Sequence, residues 1–294
     1  MSAWLKIGDF FVLPWSCSGL ESSIVVVRDR MRICFDIGYA HRETVEAEHV
    51  CITHGHIDHI AGIAHHTAKR DLYGMSMPTY YAPSHLVDTL KDVGKVFGKM
   101  QERSSSMNKM NVQGIDYDGE AIQLPWNRKL KAIKTEHTVK SQGYIIYKVI
   151  RTLKPAYIHL NPREIARLHK EGHVIHDIME IPEVAYTGDT TIAAFLNPSQ
   201  NPDIFKVKLL ITEATYIDYM DNGRKVNMAY DRGHMHLWHI AENAELFKDV
   251  ENILLVHFSD RYDITSIQQY VNSSVPPSLR HKVHLGLCKG ALRE

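Results

Sequence analysis

Hydrophobic residues in the first 150 positions fall into short runs typical of strands. Ile24–Arg28 and Met31–Asp36 flank two polar residues, and this spacing predicts a β-hairpin. Val50–Thr53 is short and rich in β-branched side chains, which predicts a buried strand. Leu130–Ile133 and Gly143–Ile150 show similar patterns. We therefore expect this part of the chain to be rich in strands.

Helical spacing and capping residues predict helices between the strands. Asn161-Pro162-Arg163-Glu164 combines an Asn cap with Pro at the first helical position and Glu at the third, and predicts a helix that ends at Gly172. Similar patterns predict helices in four other places: from near Ile60 to about Arg70, from an N-cap at Ser84 to about Arg103, over His236–Lys248, and from a capping box of Thr265 and Gln268.

The second half of the chain alternates strands and helices in the same way. Lys206–Thr212 and Ile253–His257 predict strands, and neither a linker-like boundary nor an internal repeat interrupts the pattern. We therefore predict an α/β fold: a single domain over residues 1–294, made of two similar halves with sheets between helices.

Composition narrows the classes of function. The 34 Lys and Arg residues balance 34 Asp and Glu residues, which argues against a binder that works through bulk positive charge. The apolar runs are far shorter than the roughly 18 residues of a membrane span. No targeting signal is evident, so we expect a cytoplasmic protein, with the nucleus as the alternative, and no membrane partner. The four cysteines are isolated and are expected to be buried apolar side chains.

The 19 histidines point to metal or acid–base chemistry. His54, His56, Asp58 and His59 fall within six positions, directly after the predicted strand Val50–Thr53. A loop can direct such closely spaced side chains toward two neighbouring metals. Imidazole and carboxylate together suit zinc, with manganese possible.

This His-x-His-x-Asp-His pattern resembles the signature of the metallo-β-lactamase superfamily. The resemblance implies an αββα sandwich with metals at the edge of its sheets. It also requires later ligands at strand ends, and His137, Asp189 and His257 stand in the matching order. By the same resemblance, Asp36 is a buried aspartate that orients the metal loop through hydrogen bonds rather than by ligation.

The resemblance implies two zinc ions in each chain. Two such ions roughly 3.5–4 Å apart activate a water molecule and clamp a phosphodiester. The implied ligands are divided as follows: His54, His56 and His137 on one ion, Asp58, His59 and His257 on the other, and Asp189 as the bridge between them.

Further motifs resemble the tRNase Z family, in particular its short, plant-type branch. Thr212-Glu213-Ala214-Thr215 resembles the His-Glu-Ala-Thr motif of that family, and Gly233-His234 resembles the start of its Gly-His-Ser-Thr motif. This resemblance implies a zinc-dependent endoribonuclease that removes the 3′ trailer of precursor tRNA by metal-hydroxide attack. The products would be a tRNA with a 3′-hydroxyl and a trailer with a 5′-phosphate. A homodimer is implied as well.

Glu213 and His234 would add a proton donor to this site. A carboxylate beside an imidazole raises the pKa of the imidazole, and the protonated ring can donate to the leaving 3′-oxygen. His236 stands where the family motif has Thr, so it is a rival for the role. We predict Asp58, Glu213 and His234 as the catalytic residues.

Two sets of cations are candidate RNA contacts, with a solvated helix face as the alternative for both. The arm with which the family grips tRNA is not recognisable, so residues 151–182 are predicted to form a short exosite-like insertion. Its candidate contacts are Arg163, Arg167 and Lys170. The other set recurs every four residues and forms one helical stripe: Lys91, Lys95, Lys99 and Arg103.

Other functions remain to be weighed against this one. A small-molecule metal-dependent phosphodiesterase or ester hydrolase of the same fold would keep every ligand and stays the main alternative. The complete ligand set argues against a non-catalytic RNA-binding module. The short stretch between Asp189 and Glu213 excludes the large insertion of a β-CASP nuclease.

Overall fold

The computed structural model describes residues 4–102, 109–218, 224–287 and 291–292. Within these residues, the first part of the chain forms a seven-stranded sheet whose spatial order follows the sequence. Its strands are β1 (Leu5–Ile7), β2 (Phe10–Cys17), β3 (Glu21–Arg28), β4 (Met31–Phe35), β5 (His49–Cys51), β6 (Thr79–Ala82) and β7 (Asn111–Gly114).

A second seven-stranded sheet follows, again in sequence order. Its strands are β8 (Ile122–Leu124), β9 (Arg128–Lys134), β10 (Gln142–Leu153), β11 (His176–Tyr186), β12 (Leu209–Glu213), β13 (Ile253–Val256) and β14 (Val283–Leu285).

The two sheets have the same connectivity. In each sheet the first four strands pair antiparallel, and the remaining three add in parallel. Short turns suffice between antiparallel neighbours, whereas parallel neighbours need a crossover, which is where the helices lie. The prediction of two similar halves is confirmed.

The helices connect the parallel strands and occupy the turn between β10 and β11. They are α1 (Arg42–Val45), α2 (Ile57–Ile60), α3 (Ile63–Leu72), α4 (Val87–Met100), α5 (Pro162–Lys170), α6 (Ala193–Leu196), α7 (Arg224–Asp231), α8 (Leu237–Glu242), α9 (Ile264–Ser274) and α10 (Pro277–Arg280). None of the helices in the described part of the chain is long and apolar enough to cross a membrane.

The sheets pack face to face over a buried apolar layer. Phe35 of the first sheet and Tyr186 of the second are fully buried, with ring centroids 5.1 Å apart. A second apolar cluster joins the outer faces of the sheets to the helices, for example through Leu90 of α4 and Ile267 of α9. The αββα prediction is therefore confirmed. That residues 1–294 form a single domain stays a prediction, which one cooperative unfolding transition would support.

Two predicted elements differ from the observed ones in the second half. The strand predicted over Lys206–Thr212 begins only at Leu209, because Pro202–Lys206 forms a 3₁₀ helix. The helix predicted over His236–Lys248 is an α-helix only as far as Glu242, and Ala244–Phe247 forms a separate 3₁₀ helix. The α-helix ends at Glu242 because the backbone of Asn243 leaves the helical region, while the Asn243 side chain donates to the carbonyl of His239 at 2.9 Å.

Two predicted helix starts are also wrong. Ser84 does not cap α4, because it lies inside a 3₁₀ turn that precedes the helix. The capping box at Thr265 is replaced by a cap at Asp263, whose carboxylate accepts the Ser266 N–H at 2.7 Å. The helix expected near Ile60 is divided into α2 and α3.

Residues 151–182 form the outer part of a long hairpin. Pairing of β10 with β9 ends at Lys148, whereas β10 and β11 pair as far as Leu153 and His176. Helix α5 lies in the connection, and its predicted start is confirmed, because the Asn161 side chain accepts the N–H groups of Arg163 and Glu164 at 3.0 and 3.1 Å. This segment is mostly exposed.

Three of the cysteines match their predicted environment. Cys17, Cys34 and Cys51 are buried in the apolar clusters and form no disulfide within the described part of the chain, whereas Cys288 lies outside it.

Candidate metal centre

The predicted ligands converge at one edge of the sandwich. β4 and β5 run parallel in the first sheet, and β9, β11, β12 and β13 run parallel to one another in the second. The carboxyl ends of parallel strands meet at one edge of a sheet, which is where open α/β folds place their sites. Each candidate lies at or just after such an end: Asp36, the His54–His59 loop, His137, Asp189, Glu213 and His257.

The first ligand group comprises His54, His56, His137 and Asp189, whose ligand atoms all lie within 4.8 Å of one another. His56 Nδ1 lies 3.1 Å from both His54 Nε2 and His137 Nε2. Asp189 Oδ2 lies 3.8 Å from His54 Nε2 and from His137 Nε2. Burial and the neighbouring His59 lower the pKa of His54 well below its usual range, which keeps a nitrogen lone pair available.

The second ligand group comprises Asp58, His59 and His257. Asp58 Oδ2 lies 3.5 Å from the Nε2 atoms of both histidines. Asp189 reaches this group as well, with Oδ2 at 3.4 Å from His59 Nε2 and Oδ1 at 3.4 Å from His257 Nδ1. The carboxylate of Asp189 therefore lies between the two groups, as a bridging ligand would.

The chemistry of this cluster fits divalent cations. His59 Nε2 and Asp189 Oδ1 are buried without a hydrogen-bond partner in the described part of the chain. A buried polar atom left unpaired costs about 1–3 kcal/mol, so such atoms are expected to have a ligand. Imidazole and carboxylate are the donors that zinc and similar metals take. The residues present therefore fit a pair of such ions.

Asp36 supports the cluster from behind. Its buried carboxylate accepts hydrogen bonds from His59 Nδ1 at 2.7 Å, from the Thr53 N–H at 2.8 Å and from the Tyr186 hydroxyl at 2.9 Å. The next turn leaves no room for a side chain, because a Cβ on Gly38 would lie 1.8 Å from the Asp58 carbonyl oxygen. This agrees with the predicted role of Asp36 as an orienting residue.

Glu213 and His234 form a pair beside the ligands. His234 Nδ1 lies 3.0 Å from Glu213 Oε1, and the fully buried carboxylate also accepts the N–H groups of Thr190 and Met235 at 2.7 and 3.1 Å. Burial lowers the pKa of His234, but the charge of Glu213 and its hydrogen bond more than offset this and raise it to about 9. Without bound cations, the carboxylate of Glu213 therefore favours the protonated imidazole.

The ring of His234 faces the same space as the ligands. Its centroid lies 5.0 Å from that of His137 and 5.6 Å from that of His257. His236, the predicted rival, has a different role: it caps α8, with Nδ1 accepting the Trp238 N–H at 3.1 Å and Nε2 lying 3.0 Å from the Asp218 carbonyl. The local fold therefore separates the two histidines.

The candidate RNA contacts lie away from this cluster in sequence and on two helices. Lys95 and Lys99 are exposed on α4 and Lys91 is half-buried, while Lys95 also pairs with Asp92 at 2.8 Å. Arg103 lies outside the described residues. On α5, Arg163, Arg167 and Lys170 are all exposed.

Several residues that position the site were not predicted from the sequence. The Thr215 hydroxyl donates to Glu213 and lies 3.1 Å from His257 Nδ1, so it links the proton-donor pair to a ligand. The backbone N–H of Gly19 donates to Asp58 Oδ2 at 3.0 Å. Thr215 lay within a recognised motif and could have been found, whereas a backbone donor such as that of Gly19 leaves no mark in the sequence.

Fold and site together define a protein of the metallo-β-lactamase fold class. The metallo-β-lactamase fold protein YhfI from Bacillus subtilis aligns with 94% of this chain and 96% of its own length at a TM-score of 0.60 and 16% identity. The short form of human tRNase Z aligns with 94% of this chain and 95% of its own length at a TM-score of 0.58, also at 16% identity. No protein-family model matches the sequence.

Sequence relatives identify the family within that class. tRNase Z TRZ1 of Arabidopsis thaliana is 38% identical over 279 residues, which cover 95% of each chain. The chloroplastic tRNase Z TRZ2 of the same plant is 33% identical over 91% of this chain and 72% of its own length. The chain belongs to the tRNase Z family.

Proposed function

We propose that this chain is a metal-dependent endoribonuclease that removes the 3′ trailer from precursor tRNA. Its membership of the tRNase Z family supports the reaction and the substrate. The observation that carries the proposal is the position of Asp189, which contacts both ligand groups beside the Glu213–His234 pair. A site with two cation positions and an adjacent proton donor suits hydrolysis of a phosphodiester with a poor leaving group.

The proposed cofactor is a pair of zinc ions, with manganese as the alternative. His54, His56 and His137 would hold one ion, and Asp58, His59 and His257 the other, with Asp189 shared. Metal analysis of purified protein should give about two ions per chain. Asp189→Ala should lower the occupancy of both positions, whereas Asp71→Ala, at an exposed position on α3, should leave it unchanged. Full occupancy in Asp189→Ala would contradict the shared ligand.

Each residue around the proposed ions has a separate role. Bound ions would supply the nucleophilic water and neutralise the charge that develops on the phosphodiester. His234 is placed to protonate the leaving 3′-oxygen, and Glu213 holds its ring in position. Asp36 fixes the ring of His59 so that its Nε2 faces the cluster. The products would be a tRNA 3′-hydroxyl and a trailer with a 5′-phosphate.

Substitution of His234 tests the proton donor. His234→Ala should lower the cleavage rate about 10²–10⁴-fold, the usual contribution of a general acid. Metal content should stay unchanged, and Glu213→Gln should show a milder loss. His236→Ala is the control and should lower the cleavage rate less, since His236 caps a helix. Loss of metal in His234→Ala would instead make His234 a ligand, because it also groups with Asp189 and His257.

Incubation with a 3′-extended precursor tRNA tests the reaction itself. Mapping of both product ends should give a tRNA that ends in a 3′-hydroxyl at or near the discriminator base. A 2′,3′-cyclic phosphate would mean that the 2′-hydroxyl is the nucleophile, and would exclude attack by an activated water molecule. Efficient hydrolysis of a small diester without cleavage of precursor tRNA would favour a small-molecule phosphodiesterase.

We further propose that exposed cations on α5 and α4 contact the RNA backbone. Neutralising Arg163 and Lys170 together should raise KM for precursor tRNA and reduce its salt dependence, with little change in kcat. Hydrolysis of a small diester should not change. Equal losses of activity on both substrates would show that these residues stabilise the fold rather than contact the RNA.

A homodimer is proposed as the assembly. Val96, Phe97 and Met100 are exposed apolar residues on α4, which a second copy could cover. Sedimentation equilibrium should give twice the chain mass, and a monomer at micromolar concentration would contradict the proposal.

A cytoplasmic location, with the nucleus as the alternative, stays a prediction that imaging of the tagged full chain would test.

A further inference from the structure

A cavity of about 680 Å³ opens beside His137. Three connecting segments form its walls: the turn after β6, the turn after β7, and the loop between β9 and β10. Apart from His137, none of the proposed ligands lines it. The side chains of interest on its walls are Ser84, Asp116, Tyr117, Lys134, Glu136 and Lys140.

The walls combine a flat ring with positive charge. Tyr117 is 45% exposed, and the Lys134 ammonium lies 6.0 Å from the centroid of its ring. Lys140 is exposed on the facing loop, three residues after His137. An aromatic face next to lysines is the combination that binds single-stranded nucleic acid, because the base stacks on the ring and the phosphate pairs with the cations.

The turn that carries Tyr117 is fixed by hydrogen bonds. Asp116 Oδ1 accepts the Ser84 N–H at 2.9 Å, which joins the turn after β7 to the turn after β6. The Asp116 carbonyl accepts the Gly119 N–H at 3.0 Å and closes the turn around Tyr117. The backbone that carries the ring is therefore fixed before any ligand arrives, which reduces the entropy cost of binding.

Carboxylates limit what the cavity can accept. Glu136 and Asp118 line the same space as the lysines. They can accept the N–H groups of a base edge but repel additional phosphates. The volume lies within the roughly 300–1,000 Å³ of ordinary ligand sites, so it suits a single nucleotide rather than a duplex.

We propose that this cavity binds one unpaired nucleotide adjacent to the scissile phosphate, with its base on Tyr117 and its phosphate between Lys134 and Lys140. The proposal rests on the proposed function, since the cavity shares His137 with the metal centre. The nucleotide is either the first of the trailer or the discriminator of the tRNA. Both present the same chemistry, and the substrates described below distinguish them.

The test compares Tyr117→Ala and Tyr117→Phe with wild type on precursor tRNA. Tyr117→Ala should lower kcat/KM about 5- to 100-fold, the range expected for one base stacked on an aromatic ring, while Tyr117→Phe should retain most activity. Phe11→Ala is the matched control, because Phe11 is 48% exposed and lies near the start of β2, outside the residues that line the cavity. Metal content and hydrolysis of bis-p-nitrophenyl phosphate should stay unchanged in every variant.

Abasic substrates identify the bound nucleotide. Each abasic substrate lacks the base at one position, either the first trailer nucleotide or the discriminator. Removing the base that contacts Tyr117 should abolish the difference in kcat/KM between wild type and Tyr117→Ala. An undiminished difference at both positions would overturn the proposal, as would wild-type cleavage by Tyr117→Ala or an equal loss on the small diester. If wild type hydrolyses the diester but no precursor, the proposed function fails. The cavity is then judged by whether Tyr117→Ala weakens binding of a short single-stranded RNA at least fivefold.

Discussion

Replacing Asp36 with asparagine tests whether the metal centre depends on the carboxylate behind it. This carboxylate is fully buried and accepts hydrogen bonds from Thr53, His59 and Tyr186. Asparagine keeps the shape but carries only one acceptor oxygen. In either orientation of the amide, its NH₂ group faces donors that the aspartate had satisfied.

This mismatch should reduce both the metal affinity and the stability of the protein. Loss of an outer hydrogen bond to a ligating histidine typically weakens metal binding 10–100-fold, which is about 1.4–2.8 kcal/mol. The bond from His59 Nδ1 to Asp36 is short, at 2.7 Å, and charge-assisted, so an effect toward the upper end is expected. The unsatisfied donors should also lower the free energy of unfolding of the metal-free protein by about 1–3 kcal/mol.

Chelator competition and urea unfolding separate these two losses. Metal affinity is measured by titration against a competing chelator, and stability by urea unfolding of the metal-free protein. Tyr186→Phe is the control, because it removes one donor and leaves the carboxylate intact, so both losses should be smaller. Wild-type metal affinity in a folded Asp36→Asn variant would refute the orienting role.

Three further predictions concern other parts of the molecule. His66 is buried with Nδ1 2.7 Å from the Tyr80 hydroxyl, and burial lowers its pKa to about 4. The unfolded chain therefore takes up the proton first, and the free energy of unfolding should fall by up to ~3 kcal/mol as pH drops from about 6.5 to 4, a slope that His66→Gln should reduce in urea titrations. Asn161→Ala should lower the local stability of α5 by about 1 kcal/mol, which would be measured as faster amide exchange in that helix without a lower global Tm. Thr215→Val should lower kcat about tenfold at constant metal content, because Glu213 loses a charge-assisted hydrogen bond; an unchanged rate would remove Thr215 from the site.

Four of the proposed metal ligands were predictable because their signal is local. His54, His56, Asp58 and His59 stand within six positions after a strand whose hydrophobic pattern is clear. The later ligands, such as His257, were placed by resemblance, since nothing local distinguishes them from other histidines. The strand order, which was not predicted, then brings these strand ends to one edge and assembles the cluster.

Other features were unpredictable because they depend on tertiary contacts. The end of α8 is decided by the backbone and side chain of Asn243, although the apolar spacing continues past it. The different roles of His234 and His236 follow from partners far away in sequence, Glu213 and Asp218. The cavity at Tyr117 arises where three separate turns meet, so no single stretch of sequence could reveal it.

The two halves share a topology but contribute different chemistry, and the site exists only where they meet. The first sheet supplies the His54–His59 loop and Asp36, and the second supplies His137, Asp189, Glu213 and His257. Hydrogen bonds tie the two parts together directly behind the cluster: the Tyr144 hydroxyl donates to the Ile52 carbonyl at 2.6 Å, and the Tyr186 hydroxyl donates to Asp36. Because the proposed ligands of each cation position come from both sheets, we expect bound metal and sheet packing to stabilise each other. Ligand geometry is therefore a property of the interface between the sheets, and a substitution in that interface can disturb the chemistry without touching a ligand.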